Sequence, residues 1–191
     1  MARPREFDPD VAVRQAMELF RRHGYHATSV PRLTAQLGIG TGSLYAAFGS
    51  KDGLYARALQ GYCDDLIEVL DQDLRTGSDL RTALRGLLTS LVTTGTADPE
   101  RGCLLVRAAT ERASHEGTVE QVRVAMTAVE NVLTEALRRA QARGELRADH
   151  SPAELARFLT SFVQGLHVMG QTRVDRDFLA DAVTGALRAL D

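Results

Sequence analysis

Gly24-Tyr25-His26-Ala27-Thr28-Ser29-Val30, then Pro31 to Leu37, Gly38-Ile39-Gly40 and Thr41-Gly42-Ser43-Leu44-Tyr45-Ala46-Ala47-Phe48-Gly49-Ser50-Lys51, run on as one stretch of the chain. It reads as two very short helices meeting at a glycine-containing turn. Thr28 caps the first, Pro31 lies in its first turn where the missing N–H costs little, and Gly38 ends it. The second runs from about Thr41 to Phe48 and stops at Gly49. That is the layout of a helix-turn-helix, whose second helix can enter a DNA major groove.

Upstream, Asp8-Pro9 is an N-cap followed by proline at the first helical position. Val13, Ala16, Met17 and Phe20 then mark one apolar stripe that closes at Gly24. Downstream, Ser50 caps a long helix carrying Leu54, Leu59, Tyr62, Leu66 and Leu70. After a break at Thr76-Gly77-Ser78, Leu80, Leu84, Leu87, Leu88 and Leu91 recur at helical spacing. A loop from Ala97 to Gly102 precedes a short helix from Cys103 to about Ser114. A long helix follows from about Val119 to Gly144. Ser151-Pro152-Ala153-Glu154 is a capping box that opens a helix to about Thr172, and Phe178, Leu179, Val183 and Leu187 mark a last one. No strand pattern with turn chemistry competes, so the expected fold is all-α, with three short N-terminal helices and a larger helical body.

Composition narrows the class. Hydrophobic residues at 44% and charged residues at 25% fit an ordinary soluble domain and argue against disorder or a fibrous chain. No run of 18 apolar residues suggests a membrane span, and the charged N-terminus has no apolar core of a secretory signal, so the cytoplasm is the expected location. The overall charge of -2 hides an asymmetry: residues 1–55 hold seven Lys/Arg against five Asp/Glu, the remainder 16 against 20. The cationic end coincides with the helix-turn-helix, as DNA binding requires. Two cysteines, Cys63 and Cys103, make no disulfide framework and no metal-ligand spacing, so neither a metal nor a cofactor is expected. Gly38-Ile39-Gly40-Thr41-Gly42 lacks the preceding strand and lysine spacing of a phosphate loop. No paired carboxylates or nucleophile-base spacing point to catalysis, and no catalytic residue is assigned.

These residues resemble the TetR family of transcriptional regulators. The family pattern opens its second helix with Gly-Tyr/Phe and Thr-Ser/Thr-Val/Ile, here Gly24-Tyr25 and Thr28-Ser29-Val30. It continues through Gly38-Ile39-Gly40-Thr41-Gly42-Ser43-Leu44-Tyr45 and Phe48-Gly49-Ser50-Lys51. Gly102-Cys103-Leu104-Leu105 resembles the opening of the sixth helix in one subgroup. The resemblance implies about nine helices: a DNA-binding domain over residues 1–50, and a ligand-binding and dimerisation domain over 51–191. It implies a homodimer on double-stranded operator DNA and repression relieved by a small molecule, apolar or aromatic by family expectation. Activation and thiol-based sensing are the alternatives. The chain departs from the pattern at Gly40, where the family carries a capping serine, at Thr41, often lysine, and at Ala46 and Ala47, often aromatic or histidine.

Roles follow from chemistry. Thr28, Tyr45 and Lys51 are assigned to backbone phosphates, which position a protein without reading sequence. Thr41, Gly42, Ser43, Ala46 and Ala47 face the bases; none is Arg, Asn or Gln, so hydroxyl contacts and methyl packing replace bidentate pairing. Arg32 is the long side chain nearby, for a guanine or a phosphate, and Arg3 and Arg5 form an arm or a solvated tail. In the body, Tyr62, Cys103, Arg107, Thr110, Gln164 and His167 are the candidate effector contacts. The structural alternatives stand beside these roles: His167 as a core or interface histidine, Arg107 with Glu111 as an i,i+4 ion pair, and Cys103 as a packing residue rather than a sensor at a helix start. Leu159, Phe162, Val163, Leu166, Phe178 and Val183 are candidates for a dimer interface, or for the protomer's own core.

Overall fold

The computed structural model describes residues 7–77, 79–172 and 175–191, which leaves Arg3, Arg5 and Ser78 outside the described residues. Nine helices follow one another among the described residues: α1 Pro9–His23, α2 Val30–Leu37, α3 Thr41–Phe48, α4 Lys51–Thr76, α5 Leu80–Ala97, α6 Leu104–Glu111, α7 Glu116–Ala142, α8 Pro152–Gln171 and α9 Arg176–Arg188. No helix is long and apolar enough to cross a membrane among these residues.

Local chemistry sets most boundaries. Asp8 accepts from the Asp10 and Val11 amides, and Ser151 from that of Glu154, each ahead of a proline. Ser50 Oγ accepts from the Gly53 amide at 3.0 Å at the start of α4. One cap differs from the sequence reading. Ser29, not Thr28, caps α2, accepting from the Arg32 amide. The two neighbours carry the same hydroxyl, and Ser29 has the extended backbone a cap needs, whereas the Thr28 hydroxyl donates to the Gly24 carbonyl at 2.6 Å. Two further boundaries shift: α6 ends at Glu111, short of Ser114, and α7 begins at Glu116, ahead of Val119.

The chain forms two compact units whose boundary falls inside α4 and α7. One joins the residues up to Asp64 with Cys103–Val122; the other joins Asp65–Gly102 with Arg123–Asp191. The first unit packs Phe20, Leu33, Leu44, Phe48, Leu54, Tyr55 and Leu59 of α1 to α4 into one apolar centre, and Leu104, Leu105 and Ala108 of α6 are buried in the same unit. Phe20 and Tyr25 each meet Tyr55 nearly edge-on, with centroids 4.9 and 5.0 Å apart. α6 thus belongs to the same unit as α1 and is in contact with it.

In the second unit, α5 packs on both α8 and α9, which also touch each other. Its core runs through Leu84, Leu88, Leu133, Leu137, Leu159, Leu166, Val183 and Leu187. Leu159, Leu166 and Val183, offered as interface residues, are therefore buried inside the protomer. α8 is apolar on two sides, and the i,i+7 pair Leu159 and Leu166 turns inward. Phe158 and Val168 of α8 and Phe178 of α9 are large apolar side chains left exposed here, as are Val69 of α4 and Val124 of α7.

Candidate DNA interface and its α6 clamp

The reading helix is short and anchored from beneath. Leu44 and Phe48 are buried, while Thr41, Gly42, Tyr45 and Ala46 are exposed and Ser43 and Ala47 half-buried. Spacing of 3.6 residues per turn separates the two sets: i and i+4 point into the core, and the residues between them point out. Gly40 supplies no side-chain cap to α3. Arg32 is exposed and donates to His23 Nε2 at 2.6 Å, since a guanidinium has no acceptor. Tyr45 is 46% exposed.

Thr28 does not join this surface. Its residue is 0% exposed and its hydroxyl donates to the Gly24 carbonyl, so it closes the α1–α2 turn.

Lys51 is held from the side. Its ammonium lies 3.9 Å from the centroid of the Tyr25 ring, and burial lowers its pKa below the usual value. Tyr25 itself is fixed at several points. Its backbone N–H donates to Glu111 Oε2 at 2.7 Å, and its hydroxyl donates to Asp52 Oδ1 at 2.8 Å. That hydroxyl holds the Asp52 carboxyl below its usual range, while burial raises the phenol. Arg112, only 6% exposed, donates to Asp52 Oδ1 at 2.7 Å and to Thr118 Oγ1 at 3.1 Å, and its guanidinium carbon lies 3.8 Å from the Tyr25 centroid.

Four of the proposed effector contacts lie in this same unit. Arg107 donates to the Arg21 and Arg22 carbonyls at 2.8 and 3.1 Å, filling acceptors that the end of α1 leaves without helical partners. It also pairs with Glu111 at 3.3 Å, the i,i+4 pairing anticipated from spacing. Thr110 is exposed and its hydroxyl returns to the Val106 carbonyl at 2.9 Å. The Tyr62 hydroxyl donates to Cys103 Sγ at 3.4 Å, and burial raises the Tyr62 pKa. Cys103 is 3% exposed; Cys63 is buried too, which pushes its thiol up to about 12. Gln164 and His167 belong to the other unit, where both are half-buried and the Gln164 amide donates to the Thr160 carbonyl at 3.4 Å. The six are not gathered within a single unit. Arg107 is engaged as a clamp on α1, and Thr110 points to solvent.

Sequence reasoning missed Arg112, Asp52 and the role of Glu111 as an acceptor for Tyr25. Their partners lie 60 to 86 positions away (Arg112 to Asp52, Glu111 to Tyr25), beyond anything periodicity reports.

The comparisons agree with this geometry. Residues 12–58 match the family described as bacterial regulatory proteins, tetR family, and residues 81–186 match the tetracyclin repressor-like C-terminal domain. The chain is 29% identical over 195 residues to YezE, an uncharacterised HTH-type transcriptional regulator of Bacillus subtilis, covering 100% of both. It is 29% identical over 189 residues to the HTH-type transcriptional repressor ComR of Escherichia coli, covering 97% of this chain and 90% of ComR. Among solved structures, a cysteine mutant of the TetR family regulator CifR, complexed with a 26-bp double-strand operator DNA, superposes with a TM-score of 0.87 at 35% identity, covering 100% of each chain. The chain belongs to the TetR family, and it is a helix-turn-helix transcriptional regulator.

Proposed function

We propose that this regulator is a cytoplasmic repressor that binds a near-palindromic operator as a homodimer and leaves it when a small apolar or aromatic molecule binds. Residues 1–50 read DNA; residues 51–191 bind the effector and the second protomer. The observation that carries the reading is α3, anchored by Leu44 and Phe48 with Thr41, Gly42, Tyr45 and Ala46 turned outward. CifR, at 35% identity, is a relative solved on operator DNA, and ComR is a repressor by name. Tyr45 and Lys51 hold phosphates, and Thr41, Gly42, Ser43 and Ala46 meet the base edges, with Arg32 beside them. Gln164, His167, Tyr62 and Cys103 remain the effector candidates.

The dimer rests on the outer faces of α8 and α9. Phe158 stacks on Phe162 with centroids 5.9 Å apart, Val168 and Gly165 are exposed on α8, and Phe178 is 52% exposed on α9. Exposed aromatics of this size beside small residues suit a helical interface. Light scattering should return twice the protomer mass at micromolar concentration. Phe178→Arg should return the single mass without unfolding the chain, because Phe178 lies outside the core; a monomeric parent protein would end the dimer reading.

The DNA assignment is tested by comparing duplexes. Lys51→Ala and Tyr45→Phe should weaken operator and random-sequence DNA together, each by about 1.5–3 kcal/mol at most, the value of a charge-assisted hydrogen bond. Thr41→Ala should change base preference while random-DNA affinity stays. A Tyr45→Phe variant that altered sequence choice alone would reverse the two roles.

A further inference from the structure

α6 carries no assigned part in DNA binding, yet its C-terminal end reaches the residue that holds the lysine. The Tyr25 ring is the shared seat. Glu111 takes its backbone N–H, Asp52 takes its hydroxyl, and the Arg112 guanidinium and Lys51 ammonium lie 3.8 and 3.9 Å from its centroid. Lys51 is the one lysine in the chain. A lysine is a point charge on a flexible stem, and an aromatic face that restricts the stem lowers the entropy lost on meeting a phosphate.

The charges around the ring sort themselves into pairs. Arg107 pairs with Glu111 and Arg112 with Asp52, which leaves Lys51 as the third cation beside two paired carboxylates, its ammonium over the Tyr25 ring. Without Arg112, Asp52, the residue next to Lys51, would present its full negative charge to that ammonium and compete with a phosphate for it. Arg112 is itself anchored on both sides, to Asp52 and to Thr118 at the start of α7. We propose that Arg112, acting through Tyr25 and Asp52, is a positioning residue for the DNA-binding ammonium of Lys51. The turn between α6 and α7 then sets how well α4 presents its charge to the duplex. This rests on the reading of Lys51 as a phosphate contact.

The test uses the full chain and a random-sequence duplex, since a phosphate contact is blind to sequence. Fluorescence anisotropy across a salt series gives both affinity and slope. Lys51→Met should weaken binding and reduce the salt slope by about 0.9, the value of one phosphate neutralised. Arg112→Met should weaken binding roughly 3- to 30-fold, in the range of a desolvated cation–π contact, and reduce the slope in the same direction. The double variant should bind like Lys51→Met alone, because Arg112 acts through that lysine. Arg112→Lys should recover part of the loss. Tyr25→Phe removes only the hydroxyl bond to Asp52, keeps the ring, and carries the same cycle should Arg112→Met fail to fold; it should reduce affinity only while Lys51 is present. Losses that add in full in the cycles overturn the positioning role while Lys51 stays a phosphate contact. An unchanged slope in Lys51→Met overturns the lysine assignment itself, and the proposal with it.

Discussion

Gly53→Ala should weaken operator binding roughly 10- to 100-fold, the loss of one charge-assisted contact at about 1.5–3 kcal/mol. A Cβ at Gly53 would stand well inside the contact distance of the Phe48 carbonyl oxygen, and a backbone oxygen cannot swing aside as a side chain does. Phe48 closes α3 and Gly53 lies in the first turn of α4, so this is the point where the reading helix rests on its support. Alanine favours a helix over glycine by about 0.8–1.0 kcal/mol, which offsets part of an overpacking penalty of about 1–3 kcal/mol. The net stability change is therefore modest. The separation of α3 from Lys51 changes by a large fraction of a hydrogen-bond length, and binding suffers more than folding. Anisotropy on operator DNA beside a thermal melt distinguishes the two effects. Unchanged DNA affinity in Gly53→Ala would mean that the α3–α4 spacing is not set at this glycine.

Gly24→Ala acts mainly on stability. Gly24 has φ 75° and ψ 178°, a backbone region that side chains rarely occupy, which costs about 1–3 kcal/mol. The new methyl group would also point at the Glu111 carboxylate. That side chain can move, but only by giving up the Tyr25 N–H, a charge-assisted bond of about 1.5–3 kcal/mol. Together they total about 2.5–6 kcal/mol. For a chain of this size the melting midpoint should fall by about 5–24 °C, at about 2–4 °C for each kcal/mol. Glu111→Gln should produce a smaller drop, because the amide oxygen still accepts from Tyr25 while the charge is lost. A Gly24→Ala midpoint equal to that of the parent would show that the turn relaxes and that Glu111 has another acceptor geometry.

Both substitutions bear on what the sequence could and could not reveal. Helix ends were legible where one local side chain decides them: Asp8 before Pro9, Ser50 before Lys51, Ser151 before Pro152. The reading helix was found at Thr41–Phe48 for the same reason, a break at each end and an i,i+4 anchor between. Thr28 and Ser29 were not separable, because adjacent hydroxyls offer the same cap and only the backbone geometry chooses. The two faces of α8 are not separable in the sequence because both are apolar; which one turns inward depends on α5, distant in sequence, and on α9, which follows it. The contacts of α6 are the least legible. Its hold on α1 runs through Arg107 and Glu111 to backbone atoms of Arg21, Arg22 and Tyr25, and a charged side chain gives no sign of which distant carbonyl it will meet.

α3 and its surroundings should read a specific DNA sequence. The most direct measurement is an anisotropy titration of the full chain against a duplex taken from upstream of its own gene, and against a random duplex of equal length at the same salt. The upstream duplex should bind at least about 10³-fold more tightly, with affinity for both falling steeply as salt rises. Equal affinity for the two duplexes, or none for either, would contradict it.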